Sequence, residues 1–213
     1  MIIAIDGPAA SGKGTISKKL AAHFQLPHMD TGLLYRAVGY AMRDDLDLPN
    51  WEQVAIEKAQ TLDLAQYDEN DLTTAEAGIA ASKVARVPEV RAALKQVQIK
   101  FAQQPGGAIL DGRDIGTRIC PDAEVKLYIT ADAPTRAERR TKQLNERGVN
   151  VHFDEILAQI EKRDADDKDN PAGAFFVAAD AHLLDTTKLS IEAAFQAALQ
   201  LVDGVLAQKK SSS

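Results

Sequence analysis

A glycine-rich segment close to the start of the chain has the residue types and the spacing to bind phosphate. It consists of Gly7, Pro8, Ala9, Ala10, Ser11, Gly12, Lys13, Gly14 and Thr15. Two glycines separated by four residues, the second followed by a lysine, let the backbone N–H groups of a loop point inward around an anion. The lysine can then reach the phosphate that is transferred. The segment therefore predicts a loop that holds the phosphates of a nucleotide.

The residues on either side of this loop predict the elements that position it. Residues 2–5 form an apolar run that is too short for a helix and is closed by Asp6, so we predict a buried strand. Beyond the loop, the apolar residues Ile16, Leu20 and Phe24 recur every fourth position, as on one face of a helix. A strand, a glycine-rich loop and a helix in this order are the context of a P-loop. A glycine-rich turn formed by chance is the alternative, and the lysine disfavours it.

The loop departs from the strict P-loop pattern at one position. Gly14 stands directly after Lys13, where Ser or Thr is usual, and Thr15 follows it. Thr15 is then the hydroxyl that we expect on Mg²⁺, with ATP as the bound nucleotide. This ending resembles the loop of nucleoside-monophosphate kinases more than that of GTPases.

The rest of the chain alternates predicted strands with predicted helices. Further strands are expected to end near Asp30 and at Asp111, and to lie at 125–129 and 181–184. Helices are expected over most of 44–100, at 135–147 and at 154–164. A last helix begins after Ser190, and its predicted buried residues are Ile191, Phe195, Leu199, Val202 and Leu206.

This order of elements predicts the fold class and the place of the site. Alternating strands and helices favour an α/β fold of three layers, with a five-stranded parallel sheet covered on both faces. Ligands bind beyond the carboxyl ends of such strands. Asp6, Asp30 and Asp111 each end a predicted strand, so we expect them on one rim. An acidic residue at the end of a buried strand can hold Mg²⁺, which makes Asp111 a candidate metal ligand, although Asp-Gly is also a common turn.

Composition narrows the possible partners. The net charge of −6 argues against nucleic acid or an anionic membrane as the main partner. The single cysteine, Cys120, cannot form an internal disulfide, and we interpret it as a packing residue in a reducing cytoplasm. The N-terminal apolar run lacks a basic segment before it and is too short to span a bilayer. We expect a cytoplasmic monomer with a disordered tail at 209–213.

A basic segment interrupts this acidic chain at 135–147. Arg136, Arg139 and Arg140 could spread over the equatorial oxygens of a phosphoryl group in its transition state, so we predict them as catalytic together with Lys13. For any one arginine, a solvated helix face remains the alternative. An acceptor that is itself a phosphate needs no general base, because its oxygen is already anionic near neutral pH. The four histidines are scattered, and we interpret them as surface or packing residues.

Beyond the loop, a collinear set of motifs is similar to bacterial cytidylate kinases. The segments are 30–36, 81–85 with Pro88 and Arg91, 111–114 with Gly116 and Thr117, 121–123, and Arg163-Asp164 with Asp167. The similarity runs from residue 2 to about 200. It implies a P-loop kinase of pyrimidine nucleotide metabolism that phosphorylates CMP, and dCMP as well, with ATP and Mg²⁺.

The resemblance also implies which residues bind the acceptor. They are Asp30, Thr31, Tyr35, Arg36, Ser82, Arg91, Arg113, Asp114, Arg163 and Asp167. In this family the residues matching Ser82, Arg91 and Asp114 read the cytosine, Arg36 matches a residue that holds the phosphate, and Asp167 matches a ribose contact. A carboxylate accepts from the amino group of cytosine and disfavours the oxygen that uracil has there.

Finally, the resemblance implies a division of one domain, 1–208. A core at about 1–30, 105–135 and 175–208 would carry a helical monophosphate-binding part at about 31–104 and a lid at about 136–170. The family pattern has an arginine where Asn170 stands, and longer members carry a small inserted sheet where this chain has only the short segment 62–82. Two other functions stay open: a small P-loop kinase with a different acceptor, and an NTPase switch without one.

Overall fold

A computed structural model describes residues 1–170 and 175–211, and within them the sheet has five strands. These are β1 (Ile2–Asp6), β2 (His28–Asp30), β3 (Ala108–Gly112), β4 (Val125–Thr130) and β5 (His182–Asp185). The strand order is β2-β3-β1-β4-β5, and all four pairings are parallel. The predicted five-stranded parallel sheet is confirmed.

Helices occupy most of the chain between the strands. They are α1 (Lys13–Phe24), α2 (Thr31–Ala41), α3 (Trp51–Gln60), α4 (Glu69–Leu72), α5 (Ala75–Val84), α6 (Pro88–Ala102), α7 (Ala133–Glu146), α8 (Phe153–Lys168) and α9 (Ile191–Ser211). A 3₁₀ turn lies at Leu64–Gln66, and a wider π-helical turn at Ile115–Ile119 follows β3. The segment 62–82 thus holds only this 3₁₀ turn, α4 and most of α5.

The central strand β1 has both faces buried by helices, which makes three layers. Ile3 and Ile5 point to one face and pack with α1 and α9, where Leu20 and Val202 are fully buried. Ala4 points to the other face and packs with residues of α6 and of the turn Ile115–Ile119. This alternation is expected of a strand whose successive side chains leave on opposite sides.

Two further apolar clusters lie in the helical parts. α2, α3, α5 and α6 share one cluster, which includes Leu34, Val38, Met42 and Leu94. α7 and α8 share a smaller one, built mainly on Ala137, Leu144, Ile156 and Ile160. Each cluster gives its helices a core apart from that of the sheet.

The last helix differs from its prediction in the face that it buries. Ile191 is 63% exposed, so its predicted burial is wrong, whereas Ala194, Ala198 and Val202 are buried against the sheet. Alanines four residues apart let α9 approach α1 closely, and the larger Phe195, Leu199 and Leu206 sit half-buried at the margin. α9 also continues to Ser211, so residues 209–211 are helical where we predicted a tail.

Smaller boundary differences concern the ends of elements. α1 begins at Lys13, α8 extends to Lys168, and β5 begins at His182 rather than at 181. Cys120 is buried, as predicted, and burial raises the pKa of its thiol to about 11. Among the described residues, no helix is both long and apolar enough to cross a bilayer.

Candidate active site

The phosphate loop turns tightly between β1 and α1. Gly7 has φ of 153°, and a Cβ there would lie 2.0 Å from the carbonyl oxygen of Ile129, so only glycine fits. Gly12 and Ala10 also have positive φ, 88° and 59°. This backbone leaves the Ser11 hydroxyl buried without a hydrogen-bond partner among the described residues. A buried polar group of this kind at a loop is a place for a ligand atom.

Lys13 is the first residue of α1, and its side chain folds back over the loop. Its Nζ donates to the carbonyl oxygen of Pro8 at 3.3 Å. The pKa of Lys13 is lowered to about 8, mainly by burial and also by the positive charge of Arg113. The negative charges of Asp111 and Asp30 act in the opposite direction. Because the amino group is buried with other cations nearby, an anion bound in the loop would stabilise its charged form.

Two aspartates meet at the rim on neighbouring strands. Asp30 of β2 is in register with Asp111 of β3. The Asp30 carboxylate accepts from the N–H of Gly32 at 2.9 Å and so caps α2. Burial raises the pKa of Asp30, and the charge of Asp111 adds to the rise. Asp111 is buried and contacts His28 Nε2 at 2.6 Å, so His28 is a partner of the rim rather than a surface residue.

The oxygen atoms on this rim suit Mg²⁺. Mg²⁺ takes oxygen ligands, keeps several waters and is usually held by one or two carboxylates together with substrate phosphates. Asp111 offers such a carboxylate, and Asp30 beside it adds negative charge near Lys13. Thr15 is exposed. Because successive residues of an α-helix are about 100° apart, Thr15 lies roughly 200° around α1 from Lys13, on a different side of the helix. In the described part of the chain, no three His, Cys, Asp or Glu side chains form a metal cluster.

Arginines from four different elements lie near one another, and two of them, Arg113 and Arg163, also lie near Lys13. Arg36 comes from α2, Arg113 follows β3, Arg140 comes from α7 and Arg163 from α8. The pKa of Arg163 is lowered to about 10, mainly by burial and also by the charges of Arg113 and Arg36. Its Nε is buried and has no hydrogen-bond partner within the described residues. Like charges held together in this way favour an anion between them.

Some of these arginines already have protein partners. Arg113 Nε donates to Asp167 at 2.8 Å, which brings together two residues predicted to bind the acceptor. Arg36 donates to the carbonyl oxygens of Leu72, at 2.8 Å, and Thr74, at 3.0 Å. Arg140 donates to the carbonyl oxygen between them, that of Thr73, at 3.2 Å. The turn 72–74 therefore holds arginines of α2 and of α7 side by side.

The other two arginines of α7 attach this helix to the phosphate loop. Arg136 is 4% exposed and donates to Asp164 of α8 and to the carbonyl oxygens of Ala131 and Ala9. Arg139 donates to Thr186, to its hydroxyl at 3.0 Å and to its carbonyl oxygen at 2.6 Å. A solvated helix face does not describe either residue. Their contacts connect elements, and their predicted contact with the transferring phosphoryl group stays a prediction.

The predicted base-reading residues lie between α2, α6 and the end of β3. Arg91 of α6 forms a buried ion pair with Asp114. Its guanidinium carbon lies 5.7 Å from the ring centre of Tyr35 and 5.4 Å from that of Phe175. Ser82 instead donates to the carbonyl oxygen of Gly78 within its own helix, at 3.2 Å. Arg91, Asp114 and Tyr35 thus form one cluster, and Ser82 makes no side-chain hydrogen bond to any of these three described residues.

Thr31 also has a partner inside the protein. Its hydroxyl donates to the carbonyl oxygen of Asp111 at 2.9 Å and is buried. This contact joins the start of α2 to the end of β3. The first turn of α2 is therefore fixed to the same rim as the phosphate loop.

Comparisons with known proteins show the family of the chain. The family model described as "Cytidylate kinase" matches residues 3–204. The chain belongs to the cytidylate kinase family. The cytidylate kinase of Methylocella silvestris is 53% identical over 203 residues, which are 95% of this chain and 94% of that protein. The cytidylate kinase of Xanthobacter autotrophicus is 54% identical over 203 residues, 95% of this chain and 97% of that one.

A solved structure supports the fold alone. An uncharacterized protein from Eubacterium ventriosum superimposes with a TM-score of 0.57 at 16% identity, over 95% of this chain and 98% of that one. The family membership confirms the resemblance read from the motifs, and it makes this chain a phosphotransferase with a nucleotide-binding site.

Three contacts in this cytidylate kinase site were not predicted from the sequence. His28 contacts Asp111, Phe175 lies beside Arg91, and Asp6, which we expected only on the rim, accepts from backbone N–H groups beyond β3. His28 and Asp30 are two residues apart on β2, and that spacing is a weak signal that they share a face. Phe175 belongs to no motif, and nothing local indicates its partner.

Proposed function

We propose that this member of the cytidylate kinase family transfers the γ-phosphoryl group of ATP to CMP, and also to dCMP, giving the diphosphate and ADP. The observation that carries the proposal is the state of Arg163. It is buried among Arg36 and Arg113 with an unpartnered Nε and a lowered pKa. Such an arrangement is stable only marginally until an anion such as the phosphate of a monophosphate enters.

The residues around the two phosphate groups act by position and charge. The loop amides and Lys13 hold the phosphates of ATP, and Arg36, Arg113 and Arg163 hold the acceptor phosphate. An oxygen of the acceptor forms a bond to the γ-phosphorus while the bond from the γ-phosphorus to the bridging oxygen breaks, and ADP leaves with that electron pair. No general base is needed, because the attacking oxygen is already anionic. Burial lowers the pKa of Arg36, and the nearby charge of Arg140 lowers it as well, so Arg140 can contribute positive charge beside Arg36.

Mg²⁺ belongs to the ATP side of this proposal. Asp111 and Thr15 are the residues that we propose to hold it, together with ATP oxygens and water. When bound, the ion neutralises negative charge on the β- and γ-phosphate oxygens. The contact of Asp111 with His28, at 2.6 Å, supports a fixed orientation of that carboxylate.

The base cluster supports cytosine as the base of the acceptor. Asp114 would accept from the exocyclic amino group, Arg91 would donate to the ring acceptors, and Ser82 would need to turn from its own helix to reach the base. Uracil lacks the amino group, and leaving the Asp114 carboxylate unpaired costs about 1–3 kcal/mol. We also propose that Asp167 binds the ribose, and its hydrogen bond with Arg113 supports a fixed orientation of its carboxylate.

The three structural parts receive roles in the same proposal. The sheet with α1 and α9 is the core, α2–α6 form the monophosphate-binding part, and α7 with α8 forms the lid. The apolar clusters support this division in part, because α7 with α8, and α2 with α3 and α5, each have a cluster of their own, whereas α6 also packs against the sheet. We also propose a cytoplasmic location, which the single buried cysteine supports. We propose in addition that the protein is a monomer.

A panel of acceptors tests the proposed function. With ATP and Mg²⁺ fixed, kcat/KM is measured for CMP, dCMP, UMP and AMP. We expect CMP and dCMP to exceed UMP by at least about tenfold, in line with one unpaired polar group. A preference for AMP or UMP would overturn the choice of base. Turnover of ATP that is independent of any acceptor would instead favour an NTPase switch.

A further inference from the structure

Asp6 is a buried carboxylate with no role in the mechanism described so far. It is the last residue of β1 and stands beside Gly112 of β3 in the sheet. Its side chain is buried, with 6% of the residue exposed. One carboxylate oxygen accepts from the N–H of Ile115 and the other from the N–H of Gly116, both at 2.8 Å. Asp6 thus connects the strand that enters the phosphate loop with the turn that follows β3.

Those two N–H groups are the first ones of the turn Ile115–Ile119. The first N–H groups of any helical turn have no partner within it, and the residue that precedes the turn usually supplies one from its own side chain. Asp114 precedes this turn, yet its side chain makes no capping hydrogen bond. Its carboxylate contacts Arg91 instead. Asp6 provides the cap from a different strand, and the side chain of Asp114 is left for another contact.

The fit around this cap leaves no free space. A Cβ at Gly116 would lie 3.4 Å from Asp6 Oδ2 and 3.2 Å from Lys126 Cδ. The backbone of the turn therefore lies directly against the carboxylate. The carbonyl oxygen of Asp114 in turn accepts from the N–H of Arg118 at 2.9 Å, so capping the turn also fixes the peptide of Asp114. A shift of the turn would move Asp114 relative to Arg91.

We propose that Asp6 is a positioning residue for cytosine selection: it caps the turn Ile115–Ile119 from β1 and so holds Asp114 where its carboxylate meets the base. The inference rests on the proposed function, because it needs CMP as the acceptor. Asn at position 6 has nearly the same shape but can accept only through one atom, and its amide N–H groups would face a backbone N–H. One of the two hydrogen bonds to the N–H groups of Ile115 and Gly116 is then lost, and the amide N–H of Asn would face the backbone N–H that is left without an acceptor.

The experiment combines Asp6→Asn with Asp114→Asn in the full chain. The ratio of kcat/KM for CMP to that for UMP is measured in the wild type, in both single variants and in the double variant, together with the KM for ATP. We expect Asp6→Asn to lower the ratio at least about fivefold and to change the KM for ATP less than about threefold. In the Asp114→Asn background, Asp6→Asn should have little further effect, because the residue that it positions is already changed.

Three results would overturn or redirect the inference. If Asp6→Asn leaves the CMP-to-UMP ratio of kcat/KM unchanged, the inference is contradicted. It is also contradicted if Asp6→Asn lowers the ratio equally in the wild type and in Asp114→Asn, because that result would indicate a general role in folding. If the wild type shows no preference for CMP, the proposed function fails rather than the role of Asp6. Should Asp6→Asn not fold, Gly116→Ala decides: it presses on the same cap and must lower the ratio, whereas Gly204→Ala, the matched control in α9 where an added Cβ meets nothing within 4 Å, must not.

Discussion

Arg136 and Asp164 connect α7 and α8 through two hydrogen bonds, at 3.0 and 2.5 Å. The same guanidinium donates to the carbonyl oxygen of Ala9 in the phosphate loop at 3.2 Å. One buried side chain thus joins both helices to the loop. The contact of Arg136 with the transferring phosphoryl group that the basic segment predicted stays a prediction.

Replacing Arg136 by Met should weaken both folding and ATP binding. Removing one partner leaves Asp164 without its ion partner, and breaking a buried pair costs about 3–5 kcal/mol; we expect the lower end, since Asp164 is 26% exposed. The KM for ATP should rise as the loop loses its contact at Ala9. Denaturant unfolding and steady-state kinetics measure the two effects. Lys162→Met is the control, because its pair with Asp166 is exposed and should contribute less than about 1 kcal/mol.

Replacing Arg163 by Met should weaken the binding of CMP without destabilising the fold. The wild-type guanidinium is buried next to two other arginines with one unpartnered N–H, so an apolar side chain of similar length should leave the free energy of unfolding unchanged or raise it. The KM for CMP should rise at least about tenfold, because the acceptor phosphate loses a charged hydrogen bond. Thermal unfolding without nucleotide and kinetics with CMP give both values. A fall in stability with an unchanged KM would contradict our interpretation of this cluster.

Asp6 should give the stability of the protein a distinct dependence on pH. Burial raises the pKa of its carboxyl from 3.8 to about 6, with Asp114 adding to the rise and Lys13 opposing it. Between these two values the folded state holds a proton that the unfolded state has lost. The contribution of Asp6 to the free energy of unfolding therefore decreases as the pH rises from about 4 to 6, by about 3 kcal/mol in total. Above pH 6 the loss is complete.

The measurement is the free energy of unfolding of the wild type and of Asp6→Asn at several pH values between 4 and 7. Other carboxylates titrate equally in both proteins, so only the difference between the two matters. Relative to the variant, the wild type should become less stable as the pH rises. A constant difference across this range would show that Asp6 does not titrate there.

Replacing Asp114 by Asn should weaken the selection of cytosine more than the binding of ATP. The amide can donate to the oxygen of uracil, so the preference for CMP over UMP should fall by about tenfold or more. The KM for ATP should change little, since Lys13 and the loop amides lie elsewhere on the rim. The same acceptor panel provides the data. A normal preference combined with poor folding would make Asp114 a structural residue.

The sequence predicted the parts of this structure that depend on local pattern. The phosphate loop, the five strands and the rim aspartates Asp30 and Asp111 follow from spacing that neighbouring residues set. The predicted burial of Ile191 was wrong. The four-residue periodicity identified the helix, but the small alanines of α9 determine which of its faces packs against the sheet.

Contacts between distant segments could not be predicted in this way. Asp6 meets Ile115 and Gly116 more than one hundred positions further along, and His28 meets Asp111 across a strand pair. The convergence of Arg36, Arg113 and Arg163 likewise depends on how three elements pack. For the residues of the acceptor site, only the resemblance to a family supplied roles, and these remain proposals that the variants above can test.

The turn 72–74 presents only carbonyl oxygens to Arg36 and Arg140. Every amino acid has that group, so the identity of the side chains there is of little importance for holding the two arginines. What matters is the path of the backbone. Point substitutions in this turn should leave the contacts of these two arginines intact, although Leu72 is buried and Thr74 caps α5. A deletion of a single residue would instead separate the two arginines.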